Sequence, residues 1–268
     1  MDPALILART GLALFAWWGL AAGSFANVLI YRLPAGFRLT LPRRSVCTGC
    51  FRKLAWYENI PVLSYVLLRG RCGSCGAIIG MRHPVVELLV AALFVAVHAR
   101  WGFSIEAGGR AIFSMLLVAA CFIDLEHRII PDEISLGGLA LGLLLGLADH
   151  EVTLLPRIFG AAAGAGGFWL LASVYAKATG RDGLGFGDVK LLGMIGAFLG
   201  PWGVFGTVMV SSVVGAVVGL ALIAFRRGGL RTAVPYGPFL VLGALLMLFW
   251  SDGLMSWLYP GLSYGTDV

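Results

Sequence analysis

Charged side chains are scarce in this sequence. Asp, Glu, Lys and Arg make up 13% of its 268 residues, about half the share found in soluble domains, and mean hydropathy is +0.89. That excludes an ordinary soluble domain. Internal repeats and low-complexity linkers are also missing, so neither a repeat array nor a loosely strung second domain is expected. The N-terminal region has no basic stretch and no A-x-A site, so Leu5–Ile30 reads as a retained first span rather than a cleaved signal peptide. No glycine-rich phosphate loop opens after a strand pattern. The formal charge is +6, but the basic residues are distributed as membrane topology distributes them, and no nucleic-acid partner is expected.

Long apolar blocks are what the chain does have. Eight segments, near 5–31, 85–101, 111–125, 133–148, 158–176, 188–200, 203–225 and 235–250, are candidate spans. The expected fold is all-α, a polytopic membrane protein of about eight transmembrane helices. Several segments fall short of the ~20 residues a bilayer needs, so those near 111–125 and 188–200 should extend into the polar boundary. Gly193, Gly196 and Gly200 would let helices approach closely.

Orientation follows from the loops. Residues 32–84 carry Arg32, Arg38, Arg43, Arg44, Arg52, Lys53, Arg69, Arg71 and Arg82 against a single acid, Glu58. That loop should be cytoplasmic. Alternation puts Asp124–Arg128, Lys177–Lys190 and Arg226–Arg231 on the same side, and Glu106, Asp149, Glu151 and Asp252 on the other. The chain then divides into a first transmembrane helix (1–31), a cytoplasmic loop (32–84) and a multi-span part (85–268).

The loop is too short to build a large core and needs a staple. Cys47-Thr-Gly-Cys50 and Cys72-Gly-Ser-Cys75, with twenty-one residues between them, form a CxxC…CxxC pattern with glycine in each turn. A reducing cytoplasmic location argues against disulfides. Four thiolates would fill the shell of a structural zinc ion, and a redox or unliganded role is the alternative. Cys121, in an apolar run, reads as a packed small residue.

Two aspartates stand at the edges of apolar segments, Asp124 in Phe122-Ile123-Asp124 and Asp188 in Gly185-Phe186-Gly187-Asp188-Val189-Lys190. Ionisable groups at such positions are costly and usually functional. Alternation brings both to the cytoplasmic face, and two carboxyls sharing a proton can activate water against a peptide bond. The bland alternative is that they cap helices, as Asp132 and Asp182 in polar stretches would. Lys190 could anchor its segment at the headgroups or tune Asp188. His83 and interfacial His127 read as structural, Asn27 as bonding a neighbouring helix, and Trp17, Trp18, Trp101, Trp202 and Trp257 as an aromatic belt.

Taken in order, Gly23-Ser24-Phe25-Ala26-Asn27 through Arg32-Leu33-Pro34, the paired CxxC loop with Glu58-Asn59-Ile60-Pro61, Arg82-His83-Pro84-Val85-Val86-Glu87, Phe122-Ile123-Asp124, Ile129-Ile130-Pro131-Asp132, Gly185-Phe186-Gly187-Asp188 and Tyr236-Gly237-Pro238-Phe239 resemble the type IV prepilin leader peptidase/N-methyltransferase family. His83 stands where that family carries Tyr. The resemblance covers most of the chain. It implies a multi-pass protein of the bacterial inner membrane that cleaves the basic leader from prepilins and pseudopilins at the cytoplasmic face, with Asp124 and Asp188 as catalytic residues. It also implies methylation of the new N-terminal amine by S-adenosylmethionine. Glu58 and Glu87 are the acids best placed to hold an ammonium or a ribose, or else are solvated or interfacial anchors. The rivals are a peptidase without methylation and an ion-coupled transporter, which should show inverted repeats or broken-helix pairs; neither is evident.

Overall fold

The computed structural model describes residues 3–39, 45–148, 154–180, 185–225 and 235–258. Arg43, Arg44, Asp149, Glu151, Asp182 and Arg226–Arg231, which entered the topology argument, lie outside the described residues. Nine α-helices are found among those described: α1 Pro3–Arg32, α2 Leu63–Leu67, α3 Arg82–Trp101, α4 Ile105–His127, α5 Asp132–Ala148, α6 Leu154–Ala162, α7 Phe168–Thr179, α8 Phe186–Ala224 and α9 Gly237–Leu258. Among the described residues the only β-structure is two isolated bridges. The all-α expectation holds.

Each expected apolar segment is helical, but helix length does not give eight crossings. Five helical stretches among the described residues are long and apolar enough: Thr10–Arg32, Arg82–Trp101, Ile105–His127, Leu154–Thr179 and Phe186–Ala224. α5, with 17 residues, is too short by that measure, and Gly237–Ser251 is a shorter apolar helix. The segments 188–200 and 203–225 form one helical run of 39 residues. At 1.5 Å per residue that run would be roughly 58 Å long, against a hydrocarbon core of about 30 Å. It breaks where Gly200 takes φ 67° and ψ −176°, just before Pro201. Glu106 and Asp252, read as loop acids, fall within α4 and α9, the latter beyond a kink at Trp250.

The chain forms two compact units, Met1–Ala119 and Ala120–Val268. In the first, α1 and α3 pack antiparallel through small residues. A side chain at Gly19 would strike the Ala91 backbone at 2.6 Å, and one at Gly23 the Glu87 backbone at 2.6 Å. Asn27, buried, donates to the carbonyls of Gly23 and His83 at 3.3 and 3.0 Å, which is the interhelical bond expected of it.

In the second unit the first half of α8 runs against α5, α6 and the glycine-rich π-turn Ala163–Gly167. Gly160 meets the backbone of Gly196 and Gly200, and Gly164 meets the Leu192 carbonyl. Lipid offers no hydrophobic drive between helices, so such backbone-to-backbone contact supplies the cohesion. The second half of α8 packs on α9, where a side chain at Gly243 would reach the Thr207 carbonyl at 2.6 Å.

Candidate active site and metal centre

Asp124 lies in the last turn of α4, whose helical path stops at Arg128 (φ 56°) shortly before Pro131. Its side chain is buried, and its Oδ2 accepts the Gly237 N–H at 3.0 Å. Gly237 opens α9, so the carboxylate sits where unpaired N–H groups and the positive end of the helix dipole favour a negative charge. No other residue fits there, because a Cβ on Gly237 would stand 2.6 Å from that oxygen.

Asp188 occupies the third position of α8, after Gly185 as the N-cap in extended conformation (φ −68°, ψ 132°). Its backbone N–H donates to Gly185 O at 3.0 Å. Gly187 lets the turn close on Ile130, where a Cβ would come within 3.1 Å of the Ile130 side chain. Both aspartates line one open cavity of 320 Å³, together with Arg128, Phe186 and Lys190. The structure therefore unites residues 64 positions apart. Lys190 points to neither carboxylate of that pair: its ammonium bonds Asp132 Oδ1 at 2.5 Å and lies 4.7 Å from the centre of the Phe186 ring. Asp132 is thus an ion-pair partner as well as the first residue of α5.

Three features of this site escaped the sequence reading. Gly237 supplies the hydrogen bond to Asp124; it stood inside a quoted motif, but nothing local linked it to an aspartate 113 positions away. Arg128 lines the cavity through a helix-ending positive φ, which carries no sequence signal in arginine. The Lys190–Asp132 pair joins two motifs whose spacing says nothing about contact.

The four cysteines of the loop also converge. Each CxxC forms a knuckle closed by an antiparallel bridge, Val46 with Lys53 and Arg71 with Ile78. The N–H groups of Phe51 and Gly76 return to the carbonyls of Cys47 and Cys72 at 2.9 and 3.0 Å. The two knuckles repeat the same path, Phe51 at φ 56° standing where the second uses Gly76 at φ 70°. All four Sγ atoms lie within 4.8 Å of one another, with Cys47 and Cys75 at 3.7 Å. Zn–S bonds of about 2.3 Å in a tetrahedron require S···S of ~3.8 Å, so the cluster fits such an ion. The N–H groups of Cys75 and Ser74 draw the Cys72 thiol down to about 6. Ala77 N–H pulls on Cys75 too, but burial and the crowding thiols outweigh it and push that group up to about 11. The N–H groups of Cys50 and Gly49 likewise draw the Cys47 thiol down. His83 is no part of the cluster; its ring faces Gly80 O at 3.3 Å.

Glu58 and Glu87 are both engaged by the chain itself. Glu58 accepts the Ala55 N–H at 2.8 Å and both its oxygens meet Arg52 Nη2, at 2.6 and 2.7 Å. The Ala55 N–H, then Arg52, hold its carboxyl below the usual 4.5 against some desolvation. Glu87, buried on α3, accepts the Val62 N–H at 2.7 Å and bonds Ser24. Val62 has φ 59° and ψ −47°, and Leu63 N–H reaches Pro61 O at 2.6 Å. That is a γ-turn of the strained hand, costly for a β-branched residue, and Glu87 holds it.

Comparison with known proteins agrees with this architecture. Residues 17–101 match the family model for the bacterial peptidase A24 N-terminal domain, and residues 111–220 that of the type IV leader peptidase family. The chain is 37% identical to the prepilin leader peptidase/N-methyltransferase of Pseudomonas putida over 257 residues, 87% of this chain and 88% of that one. It is 36% identical to the protein of the same name from Aeromonas hydrophila over 264 residues (90% and 91%), and 41% to that of Myxococcus xanthus over 215 residues (80% and 64%). No solved structure gives a significant match. With the two family models together covering most of the sequence and relatives of this identity along nearly nine-tenths of it, the chain belongs to the type IV leader peptidase family.

Proposed function

We propose that this protein is a membrane aspartic endopeptidase that removes the leader peptide of type IV prepilins and pseudopilins at the cytoplasmic face of the bacterial inner membrane. It then N-methylates the new N-terminus with S-adenosylmethionine. The observation that carries the peptidase reading is the single cavity lined by Asp124, whose carboxylate meets the N-terminus of α9, and by Asp188 in the first turn of α8. Two carboxyls facing one cavity can share a proton. The ionised one takes a proton from a water molecule; the protonated one polarises the scissile carbonyl and stabilises the oxyanion as the water oxygen attacks. The proton then passes to the departing amine, which restores the shared state. Gly237 N–H fixes Asp124 throughout, and Gly185 and Gly187 leave room for an extended peptide backbone beside Asp188. The transporter reading of the two aspartates has no support from the family or its relatives.

In this reading the peptidase centre belongs to residues 85–268 and methyl transfer to the loop 32–84. Cys47, Cys50, Cys72 and Cys75 would hold a structural zinc ion, which ties the two knuckles together and, with its shell full, does no hydrolysis. Glu58 and Glu87 remain the acids proposed for the methylation site. Their carboxylates already serve Arg52, Ala55, Val62 and Ser24, so a cofactor or amine would have to exchange those partners, and no step is derived through them.

The test is purified protein with a prepilin and methyl-labelled S-adenosylmethionine, followed by mass loss and label transfer. Asp124→Asn and Asp188→Asn should each stop leader removal with zinc content unchanged, while a pre-cleaved pilin is still methylated. Substantial cleavage by either variant would refute the dyad.

A further inference from the structure

Between the two cysteine knuckles, apolar side chains stand uncovered among the described residues. In α2, Leu63, Val66 and Leu67 recur at i, i+3 and i+4, so they share one helix face, and all three are exposed, Leu67 to 72%. The preceding 3₁₀ turn, Trp56–Asn59, adds Trp56, exposed to 81%, and Tyr57, their rings edge to face at 5.9 Å. A face turned to bulk water would carry polar residues at these positions. The charge around it has one sign. Lys53, Arg69 and Arg71 are exposed on either side in sequence, whereas the only acid of residues 32–84, Glu58, is turned inward onto Arg52 and Ala55.

We propose that this face docks on the anionic headgroup surface of the bilayer that α1 and α3 enter. The loop is tied to that membrane at both ends: α1 finishes at Arg32 and α3 begins at Arg82, and both helices are long and apolar enough to cross. A tethered face meets the membrane at high effective concentration, so even a weak surface affinity keeps it docked. The chemistry matches the headgroup region on each count. Trp and Tyr rings settle at that depth, short apolar faces bury a few ångströms into it, and lysine and arginine are drawn to acidic lipids. The inward turn of Glu58 removes the one carboxylate that would be repelled. The inference is independent of the peptidase reading.

Tryptophan fluorescence of the full-length, zinc-loaded protein tests it. The protein is reconstituted in phosphatidylcholine vesicles with brominated acyl chains, with and without phosphatidylglycerol, and the Trp56→Phe spectrum is subtracted to isolate Trp56 from the other seven tryptophans. Docking predicts a blue-shifted Trp56 component that bromolipid quenches by more than half and aqueous iodide does not, strongest with phosphatidylglycerol and weakened by salt. Replacing Leu63, Val66 and Leu67 by Ser should expose Trp56 to iodide at unchanged zinc content. An iodide-quenched, bromolipid-insensitive Trp56 in both vesicle types overturns the proposal even if the triple variant fails to fold. So does protection that appears only at high protein-to-lipid ratio, which means a second copy, or only on adding a prepilin.

Discussion

Gly237→Ala is the sharpest test of how the candidate active site is held. The added Cβ would stand 2.6 Å from Asp124 Oδ2, where ordinary contact begins at 3.4 Å. Relief requires a shift of about 0.8 Å, by α9 backing away or by the carboxylate turning. Either movement stretches the 3.0 Å Gly237–Asp124 hydrogen bond beyond useful length. A hydrogen bond to a charged group is worth about 1.5–3 kcal/mol, so cleavage should fall about 10- to 150-fold if that bond is needed in the transition state. Gly219→Ala is the matched control, since a Cβ there meets nothing within 4 Å and alanine is the better helix former. The assay is prepilin cleavage at saturating and limiting substrate, with thermal unfolding in detergent to show that both variants fold. Wild-type cleavage by a folded Gly237→Ala variant would mean that Gly237 does not position Asp124.

Lys190→Ala should lower kcat/KM for cleavage by about 5- to 30-fold, because the pair and the Phe186 contact together contribute roughly 1–2 kcal/mol to fixing the start of α8, and Asp132→Asn by less; the double variant should be no worse than Lys190→Ala, and additive losses would show that the two act separately. Glu58→Gln should make residues 52–75 more protease-sensitive and lower methyl transfer in step; a variant that methylates poorly with a fully protected loop would instead mark Glu58 as a direct ligand. Because the Ala55 N–H and Arg52 hold the Glu58 carboxyl below its usual 4.5, its contribution to loop order is complete above that pH and is lost as the pH falls further, which proteolysis across an acid series would reveal. Gly196→Ala, whose Cβ would run into the Gly160 backbone, should destabilise the protein by about 1–3 kcal/mol; a melting temperature equal to that of Gly219→Ala would contradict the close α6–α8 packing.

The sequence by itself determined the class of protein, the four-cysteine pattern and the choice of Asp124 and Asp188 as the candidate pair. Those conclusions rest on composition, on ligand spacing within a few residues and on the cost of charge beside lipid, all of which are local or additive properties. It could not decide how many helices cross, since Gly200 and Pro201 break α8 through a backbone angle and not through any loss of hydrophobicity. Nor could it decide what surrounds the two aspartates. Gly237 reaches Asp124 from 113 residues away, and Lys190 reaches Asp132 from 58. Helix faces meet at distances that residue spacing does not encode. Glu58 and Glu87 make the same point: as isolated acids they read as open ligands, and only the fold shows them bonded to Arg52 and to the strained turn at Val62. Type and periodicity are written along the chain, whereas partnership depends on which faces pack, and packing is decided by the whole sequence at once.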